Sequence, residues 1–177
     1  MPFIERDAWL DEVLGFGELP ADVPDLPRGA VPYLPCGVAE ILAMVHEAPL
    51  VATDVLVDVG SGLGRVLILA HLISGAQGRG VEIQAPLVAA ARARCDELGL
   101  EGITFVCADA TERAIDGSRF FLYAPCNGPM LVRVLDRIHE VATRRPIVVG
   151  AVDFELHEVE WLTPRESSCR SLTLYDS

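Results

Sequence analysis

The residues best suited to chemistry lie in one glycine-rich stretch. It reads DVGSGLG (58–64), and it stands between an apolar run that predicts a strand and a periodic run that predicts a helix. Glycine lets a backbone turn sharply and approach a ligand where a Cβ would collide. A strand, a glycine loop and a helix in this order predict a nucleotide-type cofactor site at the carboxyl end of the strand.

The spacing of the glycines separates two classes of cofactor. Dinucleotide-binding folds use G-x-G-x-x-G and rest a pyrophosphate on the helix N-terminus. Residues 60–64 instead read G-x-G-x-G, and Asp58 stands two residues before the first glycine. A carboxylate there repels a diphosphate but attracts the ammonium and sulfonium groups of S-adenosyl-L-methionine. The loop therefore favours S-adenosylmethionine as the cofactor.

Two more acids follow the next two predicted strands. Glu82 ends GRGVEI (78–83), where an acid can accept hydrogen bonds from both ribose hydroxyls, and Asp109 follows ITFVCA (103–108), where a carboxylate can meet the adenine amino group. The alternative is a structural turn followed by two solvated carboxylates. Parallel strands bring their carboxyl ends to one edge, so we predict a single cofactor site. The predicted residues of this site are Asp58, Gly60, Ser61, Gly62, Glu82, Ile83, Asp109 and Ala110, together with Tyr33, which a resemblance to a known family adds.

The elements around these residues alternate between strand and helix. This alternation predicts an α/β, Rossmann-like, doubly wound and mainly parallel seven-strand sheet. The last two strands leave no room for a helix between them, so we expect an antiparallel C-terminal hairpin turning near Pro164. Predicted strands are 54–60, 78–83, 103–108, 119–124, 146–154, 156–162 and 170–176, and predicted helices are 36–47, 64–74, 86–98 and one that Pro129 opens.

The N-terminal part has a different character. Residues 4–15 have helical spacing, with Trp9, Leu10, Val13 and Leu14 on one face. Prolines at positions 20, 24, 27, 32 and 35 then forbid a regular helix or a central strand. We interpret residues 1–35 as a helix and a proline-rich strap laid over one domain, residues 36–177.

Composition narrows the classes of partner. The net charge is −12 and all 14 basic residues are arginine, so a basic stripe for nucleic acid is missing and a basic partner is favoured. No apolar run is long enough for a membrane span, and no leader pattern opens the chain, so we expect a cytoplasmic protein. Five cysteines and four histidines are scattered without the spacing of a metal site.

The stretch from Asp54 to Asp109 resembles motifs I, post-I and II of the class I, seven-strand methyltransferases. That resemblance implies their fold over residues 36–177, with the methionine part of the cofactor on residues 58–62, the ribose on Glu82 and adenine near Asp109.

A narrower resemblance rests on VPYLP (31–35), the helix after it, and VDVGSGLGRVLILA (57–70). These segments are similar to lysine methyltransferases of the ATP synthase c-subunit type and, more distantly, to the non-SET histone type. This resemblance implies that Tyr33 lies over the cofactor near its methyl group, and that the acceptor is a protein lysine.

One motif departs from the family pattern. Many amine methyltransferases carry Asn/Asp-Pro-Pro-Tyr/Phe after the fourth strand, where this chain reads LYAPCN (122–127). N-methylation of an amide or of a nucleobase through that motif is therefore unsupported, and no single catalytic base is assigned. Tyr33 and Tyr123 are candidates for the border of the methyl pocket, His157 is a candidate base, and Cys126 is a candidate for the cleft wall.

Four functions stay open at this point. The first is a methyltransferase acting on an amine, including a protein lysine. The second is a small-molecule O- or N-methyltransferase, which a deep closed pocket would favour, whereas an open groove would favour a protein acceptor. The third is a non-catalytic module that binds S-adenosylmethionine. The fourth, an NAD-binding protein, has the wrong glycine spacing. The oligomeric state is open as well.

Overall fold

A computed structural model describes residues 3–17, 20–156 and 159–177, with backbone only at residues 3 and 4. Candidate base His157 lies outside these residues. Seven strands form one sheet in the order β3-β2-β1-β4-β5-β7-β6. The first five run parallel, and β7 lies antiparallel between β5 and β6. The strands are β1 (Val55–Val59), β2 (Gln77–Glu82), β3 (Ile103–Cys107), β4 (Arg119–Tyr123), β5 (Val148–Val152), β6 (Thr163–Glu166) and β7 (Leu172–Asp176).

Helices cover both faces of this sheet, which confirms the predicted doubly wound α/β fold. One apolar cluster joins the face that carries Leu56 to helices α1 to α4, and a second joins the face that carries Val57 and Val59 to helix α5. Strands buried on both faces need no polar alternation, and β1 accordingly reads as a continuous apolar run broken only by Asp58. The helices are α1 (Phe3–Leu14), α2 (Val38–Glu47), α3 (Arg65–Ser74), α4 (Ala85–Leu98) and α5 (Gly128–Ala142).

The order of the strands creates one crevice at the carboxyl edge of the sheet. From β1 the chain moves outward through β2 and β3, then returns to place β4 on the other side of β1. The loops after β1 and β4 leave in opposite directions at such a switch point, and ligands of open α/β sheets bind there. Gly60 follows β1 and Pro125 follows β4; a Cβ on Gly60 would stand 2.9 Å from the Pro125 Cβ.

The C-terminal hairpin exists, but the prediction of its first strand was wrong. Strand β6 is Thr163–Glu166, and the described part of 156–162 instead forms turns in which Val159 N–H donates to Leu156 O and Leu162 N–H to Val159 O. Pro164, the predicted turn, lies inside β6. A proline is tolerated there because β6 is the edge strand of the sheet and proline lacks only the N–H group.

The predicted apolar face of α1 was half wrong. Leu10 and Leu14 are buried, whereas Trp9 and Val13 are both 54% exposed. Arg65 explains this orientation: its guanidinium, 4% exposed, forms ion pairs of 2.9 Å with Asp7 and Asp11. These two acids share the helix face of Leu10 and Leu14, so a charged anchor and two leucines together decide which side of α1 is buried.

Candidate cofactor site

The glycine loop leaves β1 in a conformation that its glycines permit. Gly60 and Gly62 have φ of 76° and 51°, in the left-handed region. The N–H of Gly60 donates to Val81 O at 2.8 Å, which fastens the turn to β2. A Cβ on Gly62 would collide with the Tyr33 ring, so only glycine lets the ring pack this closely against the loop.

Glu82 holds the loop from the neighbouring strand. Its side chain is 6% exposed at the end of β2. Oε2 accepts a hydrogen bond from Gly62 N at 2.9 Å, and Oε1 accepts one from Gln84 N at 2.8 Å. Two N–H donors stabilise the charged carboxylate and fix its position. A carboxylate has about four acceptor positions, so two remain for a ligand's hydroxyl groups.

Asp58 lies beside this carboxylate at the end of β1. It is 3% exposed. Burial, and then the charge of Glu82, raise the pKa of Asp58 to about 8. Two carboxylates in one buried place cannot both ionise cheaply, so Asp58 carries the proton near neutral pH. A cationic ligand group at this point would take over the role of that proton.

The strap crosses the crevice between the ends of β1 and β4. Asn127 N–H donates to Gly29 O at 2.9 Å, and Ala30 forms an antiparallel bridge with Cys126. These bonds attach the strap to the loop after β4. The strap then places Tyr33, which is half-buried, above Gly62, and burial is the main cause that raises the pKa of this tyrosine to about 12.

A cavity of about 90 Å³ lies under the strap at the carboxyl ends of β1, β2 and β4. Its walls combine the glycine loop, the post-β2 turn, the post-β4 loop and the strap. Mostly apolar walls with one fixed carboxylate are typical of a small-molecule site. The lining residues with a predicted or candidate role are Tyr33, Gly60, Glu82, Ile83, Ala110, Tyr123 and Cys126.

Solved structures share this fold. The RNA methyltransferase from Salinibacter ruber, in complex with S-adenosyl-L-homocysteine, is 28% identical, with a TM-score of 0.66 over 81% of this chain and 92% of that one. A SAM-dependent methyltransferase from Aquifex aeolicus is 14% identical, with a TM-score of 0.62 over 77% of this chain and 87% of that one. The chain has the fold of the class I, S-adenosylmethionine-dependent methyltransferases.

Other comparisons add limits to this assignment. A SAM-dependent methyltransferase from Geobacter sulfurreducens, in complex with S-adenosyl-L-homocysteine, is 20% identical, with a TM-score of 0.52 over 64% of this chain. This chain spans only 47% of that protein, about half its length. No protein-family model matches the chain, and no curated protein matches it in sequence.

The methyltransferase fold brings most of the predicted cofactor residues together. Asp58 and Ser61 line a pocket of about 20 Å³ that shares Tyr33 and Gly60 with the main cavity. Gly62 lies directly below Tyr33. Asp109 lies between two cavity-lining alanines, 108 and 110, but it lines neither pocket.

Asp109 also has a structural task. Its Oδ1 accepts a hydrogen bond from Thr111 N at 2.8 Å, and its carbonyl accepts bonds from the N–H groups of residues 112 and 113. The side chain therefore caps the turn that follows β3, in the manner of an Asx turn. The adenine contact stays a prediction for this residue.

Sequence reasoning missed Gln84. This residue is 2% exposed and lines the cavity. Its side chain accepts from Val23 N at 2.8 Å and donates to Asp22 Oδ1 at 2.7 Å, over 61 and 62 positions of sequence. A local sequence pattern cannot predict this contact, because the strap has neither helical nor strand periodicity that would show which of its residues face the turn after β2.

Tyr123 lies at the other end of the candidate site. It lines the main cavity, the small pocket beside Asp58 and an open groove of about 760 Å³. Burial, and then the charge of Asp153, raise the pKa of Tyr123, and the charge of Glu40 adds to this effect. Among the described residues, Tyr123 is thus the one that lines all three of these spaces.

The described residues contain no group of three or more His, Cys, Asp or Glu side chains arranged to hold a metal ion. No helix among them has the length and hydropathy to cross a bilayer.

Proposed function

We propose that this methyltransferase moves the methyl group of S-adenosylmethionine to the amine of a protein lysine. The observation that carries the cofactor half is the Glu82 carboxylate, fixed by the N–H groups of Gly62 and Gln84 beside the buried Asp58. This pair of acids suits a ligand with hydroxyl groups and a positive charge. A diphosphate would be repelled by the Glu82 carboxylate and would offer Asp58 no cation to replace its proton.

The residue roles follow from position. The backbone of Gly60, Ser61 and Gly62 would hold the methionine part, and Asp58 its ammonium group. Glu82 would accept hydrogen bonds from the ribose hydroxyls with its remaining lone pairs. Ile83, Ala110 and Asp109 would surround adenine at the ends of β2 and β3.

The cofactor supplies a sulfonium-activated methyl group, so the chain has to bind, orient and exclude water. Alignment of two reactants can contribute up to about 7–11 kcal/mol to the lowering of a barrier. Tyr33 and Tyr123 border the place where a nucleophile must arrive, and aromatic faces favour cationic groups there. Neither tyrosine needs to act as a base in this role.

An amine acceptor is supported by the surroundings of Tyr123. The charges of Asp153 and Glu40 both act on this side chain, and both acids line the open groove next to it. An extended chain bearing a lysine fits an open groove better than a small metabolite does. The net charge of −12 favours a basic substrate in the same way.

An RNA acceptor is the second candidate. The comparison that favours it is the Salinibacter ruber RNA methyltransferase, 28% identical over 81% of this chain. The overall negative charge opposes binding to a phosphate backbone.

The test has two steps. Calorimetry with S-adenosylhomocysteine measures cofactor binding by the full chain, and no heat would refute the assignment. The protein is then incubated with radiolabelled S-adenosylmethionine and a cell extract. One portion of the labelled product is treated with protease and another with ribonuclease. If protease releases the label and ribonuclease does not, and amino-acid analysis then detects methyllysine, the lysine proposal is supported. Label released by ribonuclease supports the RNA candidate.

A further inference from the structure

A closed ring of contacts joins the glycine loop to the strap. Gly62 N–H donates to Glu82, and Gln84 N–H donates to the same carboxylate. The Gln84 side chain donates to Asp22 Oδ1 at 2.7 Å, and Tyr33 N–H donates to that oxygen at 3.0 Å. The ring ends where it began, because the aromatic ring of Tyr33 lies on Gly62.

Asp22 accepts both of the hydrogen bonds that reach its side chain. The hydrogen bond from Tyr33 N–H, and then the one from the Gln84 side chain, lower the pKa of Asp22. Asp22 is exposed, yet its carboxylate is the point where two segments 62 residues apart meet. Gln84, in contrast, is buried, and its backbone is fixed by Glu82. Gln84 therefore ties the strap to the turn after β2 through Asp22 and through Val23 N–H, while Gly29 and Ala30 are bonded separately to the loop after β4.

The strap is closed in this structure. The cavity below it measures about 90 Å³. Sites for ligands of cofactor size occupy about 300–1,000 Å³. Tyr33 and residues 30–34 form the cover, so the cover has to move before a whole cofactor can enter. The bonds of Asp22 are among those that must open.

We propose that Asp22 and Gln84 are positioning residues that latch Tyr33 over the glycine loop and couple closure of the strap to occupation of the site beside Glu82. The proposal rests on the proposed function for the identity of the ligand. A ligand hydroxyl bound to Glu82 would hold the carboxylate that anchors Gln84, and Gln84 would in turn hold Asp22 and the strap. Tyr33 would then complete the wall around the transferred methyl group.

The first experiment needs no ligand. Hydrogen–deuterium exchange of the full chain reports the N–H of Tyr33 and its neighbours. We expect Asp22→Ala to raise the exchange rate of the peptide covering 28–36 at least fivefold. Asp22→Asn keeps an amide oxygen that can accept both bonds and should restore the wild-type rate. Asp25→Ala, an exposed acid of the same strap, is the matched control and should leave the rate unchanged. Equal exchange in Asp22→Ala and wild type would overturn the latch.

The second experiment tests the coupling. Surface plasmon resonance with S-adenosylhomocysteine gives association and dissociation rates for each variant. We expect Asp22→Ala and Gln84→Ala to accelerate dissociation about tenfold each, and the double variant to add less than threefold more, because both remove the same latch. Dissociation rates within twofold of wild type in both single variants would refute the coupling.

The two experiments separate the possible failures. If the wild-type chain does not bind S-adenosylhomocysteine at all, the proposed cofactor is wrong and so is the coupling, while hydrogen exchange still decides whether Asp22 latches the strap. If the wild type binds and the Asp22 and Gln84 variants behave like it, the proposed function stands and the latch does not.

Discussion

Asp58→Asn gives the sharpest test of the site, because it removes a titratable carboxyl while keeping its size. Burial and the neighbouring charge of Glu82 raise the pKa of Asp58 to about 8. If the cofactor's ammonium binds the charged carboxylate, then binding below that pH must release a proton. The apparent affinity should therefore fall as the pH falls below about 8 and level off above it.

The magnitude follows from the linkage between proton and ligand. Each pH unit below the pKa adds about 1.4 kcal/mol to the cost of binding, a factor of ten in Kd. At a pH two units below the pKa of Asp58, the wild-type Kd should be about 100-fold weaker than on the plateau. Asp58→Asn has no proton to release, so its Kd should be weak and flat over the same range.

The assay is calorimetry with S-adenosylhomocysteine at three pH values between 6 and 8, each in two buffers of different ionisation enthalpy. The difference in binding enthalpy between the two buffers gives the number of protons released. We expect close to one proton per ligand for wild type at the lowest pH, and none from this position in Asp58→Asn. Titration of the ligand's own amine is common to both proteins and cancels in the comparison. Parallel pH curves for the two proteins would refute the reasoning.

The pH dependence of stability tests the protonation of the same residue independently. An acid whose pKa is raised by folding is most stabilising when protonated, so its contribution is complete below the unfolded value near 4 and is lost as pH rises through about 8. Ligand-free wild type should therefore lose thermal stability relative to Asp58→Asn as the pH rises from about 5 to about 8, and the difference should level off above the folded pKa. A constant difference in Tm between the two proteins over that interval would contradict a buried, protonated Asp58.

Three further substitutions test the surroundings of the cavity. Glu82→Ala leaves two buried N–H donors without an acceptor, which costs about 1–3 kcal/mol for each donor. We expect at least 100-fold weaker binding of S-adenosylhomocysteine and a lower Tm. Unchanged affinity in calorimetry would remove Glu82 from the site. Gly62→Ala places a methyl group where it collides with the Tyr33 ring, so the ring must leave the loop; we expect faster exchange at Tyr33 and loss of methyl transfer, and wild-type turnover would show that the ring is not needed there. Arg65→Ala removes a buried cation from two acids that are each about one-third exposed. After discounting for solvent screening, we expect the free energy of unfolding, measured in urea, to fall by about 2 kcal/mol and the amides of α1 to exchange faster. An unchanged unfolding midpoint would mean that Leu10 and Leu14 alone hold α1.

The alternation of apolar strands and periodic helices was sufficient to predict the sheet, because both patterns are local. The glycine loop was predictable for the same reason, since its function depends on three glycines in five residues. Pro164 misled the prediction of β6 because the cost of a proline depends on whether the strand is at the edge, and edge position is a property of the whole sheet. The exposed side of α1 was missed because Arg65, far along the chain, selects the face that carries Asp7 and Asp11.

The site itself was predictable only on the side that the sheet builds. Asp58 and Glu82 lie at the carboxyl ends of β1 and β2, and a strand's end is visible in the sequence. Gln84 and Asp22 meet over 62 positions of chain, through side-chain bonds that leave no periodic signal.

The charges of the cavity also explain why the cover and the loop depend on each other. Two backbone N–H groups donate to the Glu82 carboxylate, whereas burial and the charge of Glu82 raise the pKa of Asp58. A proton neutralises Asp58 when the site is without a cation, and a bound ammonium group would replace that proton. Closing Tyr33 over the loop excludes water, which strengthens both the repulsion and the attraction that replaces it. A neutral ligand of the same shape should therefore lose most of its affinity relative to a cationic one. That preference should shrink in Asp58→Asn, and a preference of equal size in both proteins would mean that the cation is recognised elsewhere.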